Sequence, residues 1–103
     1  MKKDSLYFIQ SDVTGKIKVG RSKDPKKRLK QLQTGNANKL KLIAYFEKEG
    51  WREKFIHEKL SRWSEEGEWF DYRCVGSIPD DLYEKIIFGS FDDWWVKTKK
   101  LNN

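Results

Sequence analysis

Residues 6 to 28, LYFIQSDVTGKIKVGRSKDPKKR, constrain the fold of this chain more than any other stretch. Leu6 to Gln10 is an almost unbroken apolar run, Lys16 to Gly20 alternates, and Ser11 to Gly15 between them carries the Asp and Gly of a hairpin connection. Two strands joined by a turn follow. Asp24-Pro25 then supplies an N-cap and a first helical residue, so a helix over Lys26 to Thr34 is predicted, with Gly35 as its stop. A strand, a second strand and a helix therefore converge, and they bring together a tyrosine, a lysine and an arginine, a set of side chains that can handle phosphate.

Downstream, Lys39 to Glu47 (KLKLIAYFE) mixes alternation with a central apolar run and is expected to be a third strand. Glu49-Gly50 breaks that pattern. Trp51 to Trp63 then places Ile56, Leu60 and Trp63 at the spacing of an amphipathic helix, with Phe55 widening its stripe. Ser64 to Gly67 reads as a polar turn and Glu68 to Tyr72 as a short strand or an extended segment. Pro79 opens a third helix over Asp80 to Phe88, with Asp80 and Asp81 near its positive end. In the tail, 89–103, Trp94-Trp95-Val96 is expected to dock, and Lys97 to Asn103 to fray. The predicted class is α+β, one domain over 1–103, with a small three-stranded antiparallel or mixed sheet flanked by helices.

Charge narrows the partner. Twenty-two Lys and Arg oppose sixteen Asp and Glu, and the excess is concentrated between Lys16 and Lys41, where Asp24 is the only acid. A polyanion, nucleic acid before others, fits a basic stretch beside the tyrosine hairpin; a solubilising face is the competing account. The single cysteine, Cys74, excludes an internal disulfide and a multi-thiolate metal site, which fits a reducing cytoplasm. No apolar run reaches the length of a membrane span and the Met-Lys-Lys start lacks a signal-peptide core, so no membrane association is expected.

The stretch from residue 5 to 72 resembles the GIY-YIG nuclease family. The family's first tripeptide stands here as Leu6-Tyr7-Phe8, the second as Lys18-Val19-Gly20, and the helix arginine as Arg28. Glu53, in the second helix (REKFIHEKL), and Gly67-Glu68-Trp69-Phe70, a late motif of a phage and bacterial branch, continue it. Two positions depart from the pattern: Leu6 replaces the first glycine and Lys18 the second tyrosine. The resemblance implies a metal-dependent endonuclease that hydrolyses DNA phosphodiester bonds, acting as monomer or homodimer in the cytoplasm of a bacterial or phage-infected cell, with Mg2+ or Mn2+ held by Glu53.

Within that reading Tyr7 is the general base or the group that orients the nucleophile. A phenol does this only when its ionised form is stabilised, and Lys18 is expected to supply the stabilising charge. An ordinary core tyrosine and a solvent-facing lysine are the alternatives. Arg28 lies one turn before Leu32, beside the packed helix face, and its guanidinium fork matches phosphate oxygens. Glu53 falls on the apolar stripe, three residues before Ile56, where a carboxylate needs a cation or hydrogen-bond donors; Mg2+ satisfies it in one reading and a salt bridge to Arg28 in the other. His57, one turn later, could contact the leaving group, a phosphate or metal-bound water, or simply pack. Glu68 is assigned to architecture more than to chemistry. Arg21, Ser22, Lys26, Lys27, Lys30, Asn36 and Asn38 are expected to contact the nucleic acid. The alternative for the whole chain is a non-catalytic nucleic-acid-binding module on the same fold.

Overall fold

In a computed structural model that describes residues 3–86, strand β1 (Ser5–Ser11) is buried along its whole length. That is why its sequence reads as an apolar run: both of its faces are covered. β1 pairs antiparallel with β2 (Ile17–Ser22) on one side and with β3 (Leu40–Phe46) on the other. Helix α1 (Pro25–Thr34) begins where the sequence predicts, with the Asp24 carboxylate accepting from the Lys27 N–H at 3.1 Å and Gly35 at its end. Its Leu29 and Leu32 cover Tyr7, Ile9 and Leu40 on one face of the sheet. The opposite face is the larger core, where Leu6, Phe8, Ile17 and Val19 meet Ile56, Leu60, Val75 and Leu82.

The sheet has five strands, not three, in the order β3-β1-β2-β5-β4, and every pairing is antiparallel. The extra strands are β4 (Ser64–Glu66) and β5 (Trp69–Phe70), joined by a bend in which Gly67 takes φ +58°, a conformation that favours glycine. The segment expected to be a polar turn is thus half of a hairpin. It forms because the outer edge of β2 would otherwise expose unpaired backbone groups.

The predicted helix from Trp51 to Trp63 is also shorter than its periodicity suggests. A 3-10 turn (Gly50–Arg52) leads into α2 (Glu53–Lys59), and a second 3-10 turn (Ser61–Trp63) follows. The chain tightens there because it has to feed β4, and the Trp63 carbonyl accepts from the Asp71 N–H at 2.8 Å. Phe55 does not widen the buried stripe; it is 51% exposed, and Trp51 is 71% exposed. Ile56 and Leu60 carry the packing instead. Helix α3 (Asp80–Lys85) starts one residue after Pro79, which serves as its N-cap. A bidentate pair between Arg52 and Asp81, at 2.8 and 3.2 Å, ties α3 to the start of α2. Phe88 and the expected docking of Trp94, Trp95 and Val96 lie outside the described residues, as does the tail beyond them. Among the described residues no helix is long and apolar enough to cross a membrane.

Candidate active site

Tyr7 on β1 stands opposite Gly20 on β2. A Cβ built on Gly20 would collide with the Tyr7 hydroxyl and fall 2.5 Å from Cζ. The phenol therefore lies across β2, over a residue that has no side chain, and reaches toward the far edge of that strand. Glycine is needed here for space and not for backbone conformation. Burial raises the Tyr7 phenol above its ordinary value; Arg28, reaching from α1 to hydrogen-bond the hydroxyl, pulls it back, and the Glu68 and Glu53 carboxylates push it up. The balance leaves a protonated phenol at neutral pH.

Lys18 does not do what the sequence suggests. It is buried on the same face as Tyr7, yet its ammonium is paired with Glu68 at 2.8 Å and sits 5.9 Å from the Trp69 ring centroid. The cation acting on the phenol is Arg28. Partial burial by itself would raise the Glu68 carboxyl, but the hydrogen bond and charge of Lys18, with His57 and Arg28 behind them, outweigh it and hold the carboxyl below the usual carboxylate range. Glu68 is thus not merely architecture. Its signal in sequence was the glycine before it, which frees the bend to turn its carboxylate toward β2.

β5 stops short of the end of β2, and α2 takes over the vacated edge. The Val19 N–H meets the Glu68 carbonyl at 3.4 Å, while the Val19 carbonyl accepts from His57 Nε2 at 2.6 Å. A carbonyl can only accept, so His57 carries a proton on Nε2, and Nδ1 is the ring nitrogen turned away from β2. Glu53, one helical turn earlier, projects from the same face. The three side chains Glu53, His57 and Glu68 each offer a ligand atom, all within 4.8 Å of one another. Glu53 is half-buried and forms no ion pair among the described residues. The salt bridge to Arg28 is not formed: Arg28 hydrogen-bonds Gln31 at 3.3 Å and the Tyr7 hydroxyl.

This donor set suits a hard divalent ion. Glu53 and Glu68 bring two carboxylates together, Lys18 pairs with Glu68 and Arg28 acts on it from nearby, and the His57 imidazole stands beside them. Mg2+ and Mn2+ both fit an oxygen-rich pair of carboxylates of this kind. Cys74 contributes nothing, since burial pushes its thiol up to about 12.

The residues expected to bind nucleic acid divide. Lys26, Lys27 and Lys30 are exposed along α1. Ser22 accepts from the Asp24 N–H at 3.0 Å and so helps start α1, and Arg21 is 3.5 Å from Asp4. Asn36 and Asn38 shape the loop before β3, where the Asn38 N–H donates to Asn36 Oδ1 at 2.9 Å.

The Lys18–Glu68 pair makes a pH-dependent prediction. Glu68 is held low chiefly by Lys18, so in Lys18→Met the carboxyl keeps its burial, loses its hydrogen-bonded cation and titrates at higher pH. The acid limb of any activity profile is expected to move upward while the alkaline limb stays. An NMR titration of the Glu68 side chain in both proteins checks the shift; an unmoved carboxyl would show that the pair carries no such linkage.

A family model, the T5orf172 domain, a phage-associated domain related to nuclease-like folds, matches residues 4–88 and so spans most of the chain. Comparison with curated proteins and with solved structures gives no match.

Proposed function

This chain belongs to the T5orf172 domain family, and we propose that it is a metal-dependent endonuclease that hydrolyses DNA phosphodiester bonds with a GIY-YIG-type site. The family suggests nucleic-acid association. The observation that carries the catalytic reading is the meeting of Tyr7, Arg28, Glu53, His57 and Glu68 at one strand edge, although they come from β1, α1, α2 and the β4–β5 bend.

Each side chain then has a role. The Tyr7 hydroxyl, held over Gly20, orients the attacking water by hydrogen bonding. A protonated phenol is a poor base, so as the water oxygen bonds to phosphorus its proton passes to His57 Nδ1, whose ring is fixed by the Val19 carbonyl, while the phosphorus–oxygen bond to the leaving nucleotide breaks and that oxygen takes a proton from solvent. Arg28 is exposed, bonded to Gln31 and acting on the Tyr7 phenol, and it neutralises charge that develops on the phosphorane oxygens. Glu53 and Glu68 would hold Mg2+ or Mn2+, which when bound supplies a Lewis acid for a phosphate oxygen. Lys18 keeps Glu68 ionised and aimed into the site, a positioning role. The exposed lysines of α1 draw the DNA backbone to this edge.

Plasmid nicking in Mg2+ tests this reading. Wild-type protein is expected to nick, and Tyr7→Phe to lose about 10²-fold or more while binding DNA as tightly, because only the hydroxyl is removed. A rate within about threefold of wild type would end the role given to Tyr7. One observation favours a second reading, a non-catalytic nucleic-acid-binding module: Lys18 already occupies one oxygen of Glu68. Salt-sensitive DNA binding with no metal-dependent nicking would select it.

A further inference from the structure

Beyond Lys18, on the α1 face of the sheet, a second concavity of about 200 Å3 opens between the β1–β2 turn, the loop before β3 and the β4–β5 hairpin. Trp69 forms one wall, Asn36 and Asn38 another, and Lys16, Thr14 and Glu66 the rim. We propose that this cleft is a nucleobase subsite: it takes one unpaired base of the strand whose phosphate lies at Glu53, His57 and Glu68, stacking it on Trp69 and hydrogen-bonding its edge with the Asn38 amide. The proposal rests on the nucleic-acid reading above and specifies its substrate.

Size, polarity and position support it independently. The volume lies below the roughly 300–1,000 Å3 of drug-sized ligand sites and suits a single planar ring system. Lys16 and Glu66 cancel in charge, so the cleft does not select a phosphate. A larger cavity at the start of α1, about 580 Å3, carries Lys3, Lys23, Lys26 and Lys48 against Asp24 and Glu47 and so keeps a positive excess that the cleft lacks. Trp69 is half-buried, and among the described residues its indole N–H has no hydrogen-bond partner, nor has the Asn38 side-chain amide. An aromatic face beside an amide that offers both a donor and an acceptor is the chemistry by which bases are held. The cleft is also contiguous with the catalytic edge, because Trp69 pairs with Lys18 across β2 and β5 and Lys18 in turn bonds Glu68. A base seated there would belong to a nucleotide close to the one being attacked.

The test separates bases from phosphates. Labelled single strands of equal length, carrying adenine throughout, thymine throughout or no base at all, are titrated with the full chain without divalent metal, and affinity is followed by fluorescence anisotropy. Wild type is expected to bind the base-bearing strands at least about tenfold more tightly than the abasic strand. Trp69→Leu should lose that preference, Trp69→Phe should keep most of it, and Asn38→Ala should keep it while losing discrimination between adenine and thymine. The slope of log affinity against log salt should be the same in all four proteins, since no phosphate contact is touched. Equal affinity of wild type for base-bearing and abasic strands overturns the subsite, as does a full preference surviving in Trp69→Leu. Failure to bind any strand at low salt, the abasic one included, overturns the nucleic-acid reading itself.

Discussion

Glu53→Gln is expected to abolish Mg2+-dependent nicking, by on the order of 10³-fold or more, while leaving the protein at least as stable as wild type. The first half follows from the ligand chemistry. An amide keeps the shape of the carboxylate but loses the charge that holds a divalent ion, and such an ion contributes several kcal/mol to stabilising a phosphoryl transition state. The second half follows from what surrounds Glu53. No cation pairs with it among the described residues, whereas Glu68 and the phenol of Tyr7 lie close enough to feel its charge. Removing that charge relieves repulsion. Urea midpoints and nicking rates measured on the same preparation read both effects, and added Mn2+ should raise the melting temperature of wild type but not of the variant. A variant with a lowered urea midpoint that still cuts while folded would sink the ligand assignment and leave Glu53 a structural role only.

Gly20→Ala is the second large effect, and it strikes fold and chemistry together. The added methyl must displace the Tyr7 ring, whose Cζ it would otherwise meet at 2.5 Å. Tyr7 is 2% exposed, packed among Ile9, Leu40, Leu29 and Leu32, so the ring has little room to yield. Overpacking of this kind costs about 1–3 kcal/mol, which for a domain of this size lowers the melting temperature by roughly 4–8 °C per kcal/mol. The hydroxyl also leaves its place beside Arg28, so nicking should fall as far as in Tyr7→Phe. A double-mutant cycle isolates the contact. In a Tyr7→Leu background the ring is gone, and Gly20→Ala should cost little stability while activity stays lost. An equal cost in both backgrounds would mean that Gly20 serves some purpose other than seating the phenol.

Much of this arrangement was legible in the chain before any tertiary contact was known, and for local reasons. Asp24-Pro25 and Gly35 bound α1 because capping and proline geometry act within a few residues. The apolar run of β1, the hairpin turn and β3 follow from short-range periodicity and turn chemistry in the same way. Tyr7 and Arg28 could be picked out through the resemblance to the GIY-YIG motifs and their spacing, Glu53 also because a carboxylate stood on an apolar stripe, and His57 because it lies one turn further along that helix.

What the sequence could not determine is which of these groups touch. Lys18 and Glu68 are fifty residues apart, and their pairing depends on a two-residue strand, Trp69–Phe70, joining the free edge of β2. So short an element has no periodicity to read; it is stabilised by the backbone groups of its neighbour, which exist only once the sheet has formed. The same applies to α2, whose stripe predicted a longer helix than the turn into β4 allows. The identity of the cation acting on Tyr7 was likewise settled in three dimensions. Lys18 and Arg28 are equally positive in sequence, but Gly20 lets the phenol cross β2 toward Arg28, while Glu68 neutralises Lys18. Local chemistry determined the elements and the candidate groups; the closing of β5 and α2 on one strand edge decided their partners, because electrostatic pairing depends on distances that only the assembled fold brings below a few ångströms.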